Sequence, residues 1–421
     1  MNVSSTLIVA QAFLAARWRA ARLRDRDSLM RCQETRLRHL TRHACRSMAF
    51  YRPYATRRFE DFPVVAKDVM LENFVAMNCA GIDLDTLRNT LAEGKERIGR
   101  HIIGQSTGTS GNRGYYVISE AERFVWLGTI LAKTLPDALW RRHRLALAMP
   151  GLSSLYRSAT SGSRIELGFF DLSRGVESWA DELTAFAPDT IVAPPKVLRW
   201  LAEHDRLRCE HIFSGAEVLD PLDRAVIEGA TGRRVREIYM ATEGLFGVAC
   251  ALGTLHLAED VVHFEWERPD PASVLVSPIV TDFTRRTQAM IRYRMNDLLE
   301  LDAAPCPCGS PYQAVKRIQG RRDDIFLLDG RMVTPDILRN AVVDSHPAIA
   351  DFRIVQTGPN AITVALAEDL PRHVDDRVRA MLLDRLSPLA ASPEITITRG
   401  LPVPLDAKLR RVRCDWRRQS G

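Results

Sequence analysis

The chain has 421 residues, 46% of them hydrophobic and 26% charged, with a formal charge of +6. That balance excludes a disordered polypeptide and leaves ample apolar material for two or more cores. No run nears the roughly 18 apolar residues that span a bilayer, and nucleic acid is not an expected partner at so modest a charge.

Residues 1–60 hold thirteen Arg against four acidic residues. Over residues 5–40, apolar positions recur at helical spacing: Leu7, Ala10, Phe13, Leu14, then Leu23, Leu29 and Leu37. A basic amphipathic helix of this kind suits contact with anionic lipid or an acidic carrier protein, or packing on the main body. Its arginines follow the apolar stretch, so a secretory signal is not expected. A cytoplasmic protein follows, with its eight cysteines reduced or holding metal.

After residue 100 short strands alternate with helices. Strands are expected at 145–149, 190–193, 211–213 and 236–239, with helices at 120–135, 176–186 and 195–204. This is the pattern of an α/β domain whose ligands sit beyond the strand C-termini. Residues 274–301 turn strand-rich, as a small β-subdomain would. Residues 321–421 read as a separate α+β lid, with helices at 336–345 and 375–386 and strands at 352–356, 361–367 and 394–398. The expected fold class is α/β, with a large N-terminal domain over 1–320, including a basic helical leader at 1–60, and a small mobile α+β C-terminal domain.

Residues 105–114 read Q-S-T-G-T-S-G-N-R-G. The hydroxyls of Ser106, Thr107, Thr109 and Ser110, with Gly108, Gly111 and Arg113, can wrap a polyphosphate. The spacing is not that of a Walker A loop, since no Lys-Ser or Lys-Thr follows the last glycine. Five further signals follow in order. Small residues in Ser214-Gly215-Ala216-Glu217 let a flat base lie on the backbone. Tyr239 to Gly244 (Y-M-A-T-E-G) puts an aromatic ring, a hydroxyl and a carboxylate at a strand end. Asp297 is suited to gripping ribose hydroxyls. Arg321 and Asp323 lie in Gly320-Arg321-Arg322-Asp323-Asp324, before the last unit, and Lys408 stands on a loop near the C-terminus.

In this order and spacing the chain resembles the adenylate-forming superfamily, and within it the phenylacetate-CoA ligase branch with its capsule-biosynthesis and coenzyme F synthetase-related relatives. His346-Pro347-Ala348-Ile349-Ala350-Asp351 is similar to that family's His-Pro-x-Val-x-Asp turn. Two departures are visible: Asn112-Arg113 stands where many members have Pro-Lys, and Ala407 precedes Lys408 where Gly is usual. The resemblance implies activation of a carboxylic acid by ATP to acyl-AMP, then transfer to a thiol. CoA is the leading acceptor, with a carrier-protein phosphopantetheine or an amine as alternatives, and a non-catalytic nucleotide-binding scaffold as a reading of another class.

Role by role, it implies that the 106–113 loop holds the β- and γ-phosphates, Thr242 meets the α-phosphate and Glu243 holds Mg²⁺. Tyr239 would stack on adenine, Asp297 bind the ribose, Arg321 reach the ribose-phosphate region and Lys408 bridge carboxylate and α-phosphate. Asp323 would be the hinge. The acyl pocket is expected near 151–156, 213–214 and 244–246, apolar enough for an aromatic or fatty acid.

Cys250, His256, Cys306 and Cys308 form a second constellation. Three thiolates and an imidazole would make a closed structural zinc site. Cys32, Cys45, Cys79, Cys209 and Cys414 have no such neighbours and read as ordinary thiols.

Overall fold

The computed structural model describes residues 3–106, 114–150, 164–271, 273–389, 391–401 and 408–416. Two helices lead the chain, α1 (Val3–Arg22) and α2 (Arg26–Ser47). The apolar spacing alone suggests continuous helix over 5–40, but the structure breaks it at Leu23–Asp25. Asp25 is extended and its carboxylate accepts from the Ser28 N–H at 2.7 Å. This cap satisfies one of the donors that every helix start leaves orphaned. Next come α3 (Lys67–Glu72), α4 (Leu84–Ala92) and the antiparallel sheet β1 (Arg97–Ile98), β2 (His101–Gln105) and β3 (Tyr115–Ser119).

Helix α5 (Glu120–Thr134) packs along α1. Their close approach needs Gly128, where a Cβ would stand 2.3 Å from the Val9 carbonyl oxygen. Buried Asp260 ties both helices to the sheet, accepting from Arg19 at 3.2 Å and Lys133 at 2.6 Å. The basic leader is therefore partly structural.

The expected alternation is present. In chain order come β4 (His143–Met149), β5 (Ile165–Asp171), α6 (Val176–Phe186), β6 (Thr190–Ala193), α7 (Pro195–Glu203), β7 (His211–Ser214), α8 (Pro221–Thr231) and β8 (Val235–Ala241). The five strands run parallel in the order β5-β4-β6-β7-β8. Helix and strand residues such as Trp179, Leu198, Ile191 and Ile212 form the core of this part.

Beyond β8 the sheet turns antiparallel through β9 (Gly244–Ala249), β10 (Leu255–Leu257), β11 (Val262–Glu267), β12 (Leu275–Asp282), β13 (Tyr293–Arg294), β14 (Asp297–Leu301) and β15 (Ala314–Arg321). The strand-rich region continues the parallel strands as one 12-stranded sheet, ordered β11-β12-β14-β15-β10-β9-β8-β7-β6-β4-β5 with β13 on β12. It keeps a core of its own around Tyr51, Phe246, Val280 and Leu299, to which α2 contributes Leu40 and Ala44.

The C-terminal segment builds a third core around Phe326, Phe352, Val364, Val378 and Leu382. Its elements are the hairpin β16 (Phe326–Leu328) and β17 (Arg331–Val333), α9 (Pro335–Ser345), β18 (Phe352–Gly358), β19 (Ala361–Leu366), α10 (His373–Leu386), β20 (Glu394–Arg399) and β21 (Val412–Cys414). Their sheet is ordered β20-β19-β18-β21.

Candidate active site

The site grows from the hairpin between β8 and β9. Ala241 pairs with Gly244, so Thr242 and Glu243 are the two residues of its turn. The register slips between Tyr239 and Met240, and such a bulge twists a strand and re-aims its side chains. Gly244 is required here, because a Cβ would lie 2.6 Å from Oδ2 of buried Asp282. Arg285 clamps the turn from outside, donating to the carbonyls of Thr242 at 2.7 Å and Glu243 at 3.2 Å. The Thr242 hydroxyl donates to the Glu243 carboxylate at 3.2 Å, and the Tyr293 hydroxyl is hydrogen-bonded to the same carboxylate. Burial first, then the Glu243 charge, hold that phenol protonated far above its usual range.

Asp297 opens β14 directly across the ladder from Arg321 at the end of β15. Its carboxylate accepts from the Tyr239 hydroxyl at 2.7 Å. Burial pushes the Asp297 carboxyl above the usual range; the Tyr239 bond and the Arg321 and Lys408 charges pull against it. The Tyr239 ring is buried and packs 5.3 Å from Phe246.

Lys408 belongs to the C-terminal segment, yet its charge is felt by Glu217, Asp297 and Glu243, which lie on or just beyond strands of the large sheet. Enclosure by the surrounding atoms, then the Arg321 charge, push its ammonium below the usual lysine range, although the residue keeps an exposed surface. Just beyond β7, Glu217 accepts from the backbone N–H of Leu409 and pairs with Lys196 at 3.4 Å. Burial raises its carboxyl despite both partners. Ser214, Gly215 and Ala216 precede it at the C-terminal end of β7, Ala216 with a left-handed φ of 68°.

Of the residues expected to hold phosphate, Thr107, Gly108, Thr109, Ser110, Gly111 and Arg113 lie outside the described residues, but the neck of the loop is defined. Gly114 donates to the Ser106 hydroxyl at 2.8 Å, and Ser106 donates back to the Gly114 carbonyl at 2.8 Å. A Cβ at Gly114 would sit 3.7 Å from Cε of Lys67, 3.7 Å from the Ser106 hydroxyl and 3.9 Å from Oε1 of Glu243. Lys67, at the start of α3, thus stands where the loop neck faces Glu243. Sequence reading missed Lys67, Tyr293 and Arg285, which sit in no motif; only the fold brings them to the hairpin.

For the acyl pocket, 151–156 lies outside the described residues. Phe213 and Leu245 do share a cluster with Ile238 and Val248, flanked by Trp126, Ile130 and Met240. A cleft of about 510 Å³ around Leu183, Ala187, His204 and Cys209 lies at the opposite, N-terminal ends of β6 and β7 and is remote from this chemistry.

The candidate metal set assembles from Cys250 in the β9–β10 turn, His256 on β10, and Cys306 and Cys308 in the β14–β15 loop. The ligand atoms of Cys250, His256, Cys306 and Cys308 all lie within 4.8 Å of one another. Cys308 Sγ is 3.3 Å from Nε2 of His256, and Cys250 Sγ is 4.0 Å from Cys306 Sγ. Nδ1 of His256 lies 3.0 Å from the Tyr312 carbonyl, a contact that places the proton there and turns Nε2 toward the thiols. The other cysteines lie apart, and all eight are free thiols.

No protein-family model matches the chain. It is similar to the phenylacetate-coenzyme A ligase of Pseudomonas putida, with 23% identity over 398 aligned positions, 86% of this chain and 87% of that enzyme. Among solved structures it is similar to 2-hydroxyisobutyryl-CoA ligase in the postadenylation state with 2-HIB-AMP. The TM-score is 0.68 and the identity 18%, over 92% of this chain and 89% of that one. These relatives and neighbours agree with the resemblance read from the motifs: the chain is similar to adenylate-forming ligases, and among them to phenylacetate-CoA ligases. Against the same neighbour in its thioesterification state, with 2-HIB-AMP and CoA, the chain scores lower. The TM-score is then 0.52, at 19% identity over 90% of this chain and 88% of the other.

Proposed function

We propose that the protein activates a carboxylic acid with ATP and transfers the acyl group to a thiol, CoA foremost. A carboxylate oxygen attacks the α-phosphorus, the bond to the β-phosphate bridging oxygen breaks, and acyl-AMP and pyrophosphate form. The thiol sulfur then attacks the acyl carbon and AMP leaves. One observation carries the reading: Thr242–Glu243, Asp297, Arg321 and Lys408, from four segments, meet beyond the C-terminal end of β8. Few proton-transfer groups are needed, because the work is positioning and charge stabilisation.

In this reading Asp297 holds the ribose hydroxyls, while Tyr239 and the Ser214–Glu217 segment border the adenine. Thr242 meets the α-phosphate, and Lys408 and Arg321 offset charge as it develops there. Ser106 and Lys67 flank the β- and γ-phosphates together with the 107–113 loop. Glu243, an oxygen donor among phosphates, fits Mg²⁺, which neutralises triphosphate charge when bound. The apolar cluster near Phe213 and Leu245 favours an aromatic or fatty acid. Residues 321–421 act as the lid, hinged at Asp323. The higher similarity to a postadenylation structure than to a thioesterification one supports a lid placed for the first step. A pyrophosphate-exchange screen over a carboxylic-acid library, followed by CoA and carrier acceptors on the hit, tests the function. No exchange with any acid overturns it; transfer only to a carrier or an amine redirects the second step.

The Cys250–His256–Cys306–Cys308 set fits zinc, with ligand type, count and the His256 second contact all appropriate. Eight free thiols suit a reducing compartment such as the cytoplasm. On α1, Leu7, Leu14 and Trp18 are 56%, 52% and 60% exposed. They fall within roughly 40° on a helical wheel, and Arg22 stacks 5.2 Å from the Trp18 ring. An apolar stripe within an Arg-rich leader matches an anionic lipid surface, whereas a second copy would bring the same positive charge against it. Sedimentation with phosphatidylglycerol vesicles should be lost in Leu14→Ser/Trp18→Ser; equal binding of that variant would refute this contact.

A further inference from the structure

Two aspartates at the start of α8 face the C-terminal segment. Asp220 caps that helix, accepting from the Leu222 N–H at 2.9 Å, and receives a two-pronged contact from Arg339 of α9 at 2.7 and 2.7 Å. One turn on, Asp223 receives a second fork from Arg411, at 2.7 and 3.0 Å. Both aspartates are nearly inaccessible, at 7% and 1% exposure. Arg199 of α7 seals the arrangement, donating to Asp223 at 3.1 Å and to the Ala350 carbonyl at 3.0 Å. On the other side, Arg411 also reaches Asp351 at 2.9 Å. Leu222 packs into the C-terminal core.

These contacts cross between segments whose cores are otherwise separate, and they are demanding ones. Forked Arg–carboxylate pairs tolerate little displacement, and a buried charge left without its partner is strongly unfavourable. Arg411 lies three residues from Lys408 on the same strip of backbone, and the Leu409 N–H is held by Glu217. Geometry fixed at Asp223 therefore fixes where Lys408 points.

We propose that Asp220 and Asp223, with Arg339 and Arg411, form a latch that holds the C-terminal unit in its Lys408-inward orientation. The four are positioning residues, and their strength sets the division of time between acyl-AMP formation and thiol transfer. The proposal rests on the two-step reading above. Moving the lid means exchanging two buried forks for water, so weakening the latch favours the second orientation at the expense of the first.

The test pairs Arg339→Gln with Asp220→Asn, which removes the outer fork without stranding a charge. Pyrophosphate exchange should fall about tenfold. Transfer to CoA from the pre-made adenylate of the acid found in the screen should hold or rise. Small-angle scattering should show a larger radius of gyration than the wild type. If the double variant does not fold, Arg339→Lys, which keeps the charge and loses the fork, carries the same comparison with a smaller shift. Equal losses in both half-reactions, or an unchanged ratio with unchanged scattering, overturns the latch. Should the wild type activate no acid at all, the functional reading fails, and the scattering comparison still decides whether the latch exists.

Discussion

The Tyr239 hydroxyl donates to Oδ2 of Asp297 at 2.7 Å, joining two strands 58 residues apart in sequence. The bond fixes the ring and uses one lone pair of a carboxylate that has others to offer a ribose. It also opposes the burial that raises the Asp297 carboxyl. Tyr239→Phe should therefore weaken ATP binding about tenfold, as loss of a hydrogen bond to a charged group does. The pH dependence has a definite sign. In its proposed role Asp297 must be ionised to accept from ribose hydroxyls, so binding should be lost as pH falls through its raised pKa. Without the phenol that pKa rises further, and the loss begins at higher pH. Calorimetric titration of ATP across pH checks this; superimposable profiles for variant and wild type would refute it.

Glu243→Gln keeps the shape of the hairpin turn but removes the charge. Its neighbours Thr242 and Tyr293 can still hydrogen-bond to the amide oxygen, so the melting temperature should stay close to that of the wild type. Pyrophosphate exchange should fall by more than about a hundredfold, since a metal-held transition state is stabilised by several kcal/mol. Near-normal exchange would remove Glu243 from the chemistry.

Lys67 is the addition the structure makes to the site. It stands beside Ser106 and Glu243 at the loop neck, and in the proposed reaction its ammonium would face the end of the triphosphate that becomes pyrophosphate. Lys67→Ala should raise the apparent KM for ATP and slow pyrophosphate exchange by roughly tenfold or more. It should leave transfer from pre-made acyl-AMP to CoA intact, because no pyrophosphate takes part in that step. A variant impaired equally in both steps would place Lys67 in the fold and not in the chemistry.

What was legible in the sequence depended on locality. Tyr239, Thr242 and Glu243 lie within five residues at one strand end, so a short motif announces them, and the α/β alternation fixed the sheet class. The α1–α2 break was also written locally, in Asp25 and Ser28, but the run of leucines across it masked the stop. Lys67 and Tyr293 had no such mark. Each is an ordinary residue in its own segment and gains meaning only because Val65 and Tyr293 bridge, seating α3 beside the hairpin. The Asp220–Arg339 and Asp223–Arg411 forks were invisible for the same reason: they span 119 and 188 residues.

Purified protein should contain about one zinc per chain. Three donors come from two loops and His256 from strand β10 between them, so the metal would tie the β9–β10 turn and β10 to the β14–β15 loop. Cys306→Ser/Cys308→Ser should lose the metal and lower the melting temperature by several degrees, with the exchange activity of the folded fraction little changed, because such sites contribute folding energy. Metal analysis finding no zinc, or full stability of that variant, would discount the site.

Lys408 offers the sharpest separation of the two steps. Its ammonium is held below the usual lysine range by enclosure and by Arg321, against the pull of Glu217, Asp297 and Glu243. A lysine with a lowered pKa loses its proton earlier than a free one as pH rises. Pyrophosphate exchange should therefore decline on the alkaline side at a pH below 10.5, and Lys408→Arg should shift that limb upward, since a guanidinium keeps its proton. Lys408→Ala should cripple acyl-AMP formation and spare transfer from pre-made acyl-AMP, where no charge develops on an attacked phosphorus. Asp323→Pro, at the proposed hinge, where the Asp323 carboxylate accepts from Asn296 at 2.7 Å, fixes φ and removes a backbone donor. It should do the reverse and slow transfer more than activation. Both half-reactions measured on both variants decide the matter: equal losses in the two steps for Lys408→Ala would mean that the lid does not alternate between them.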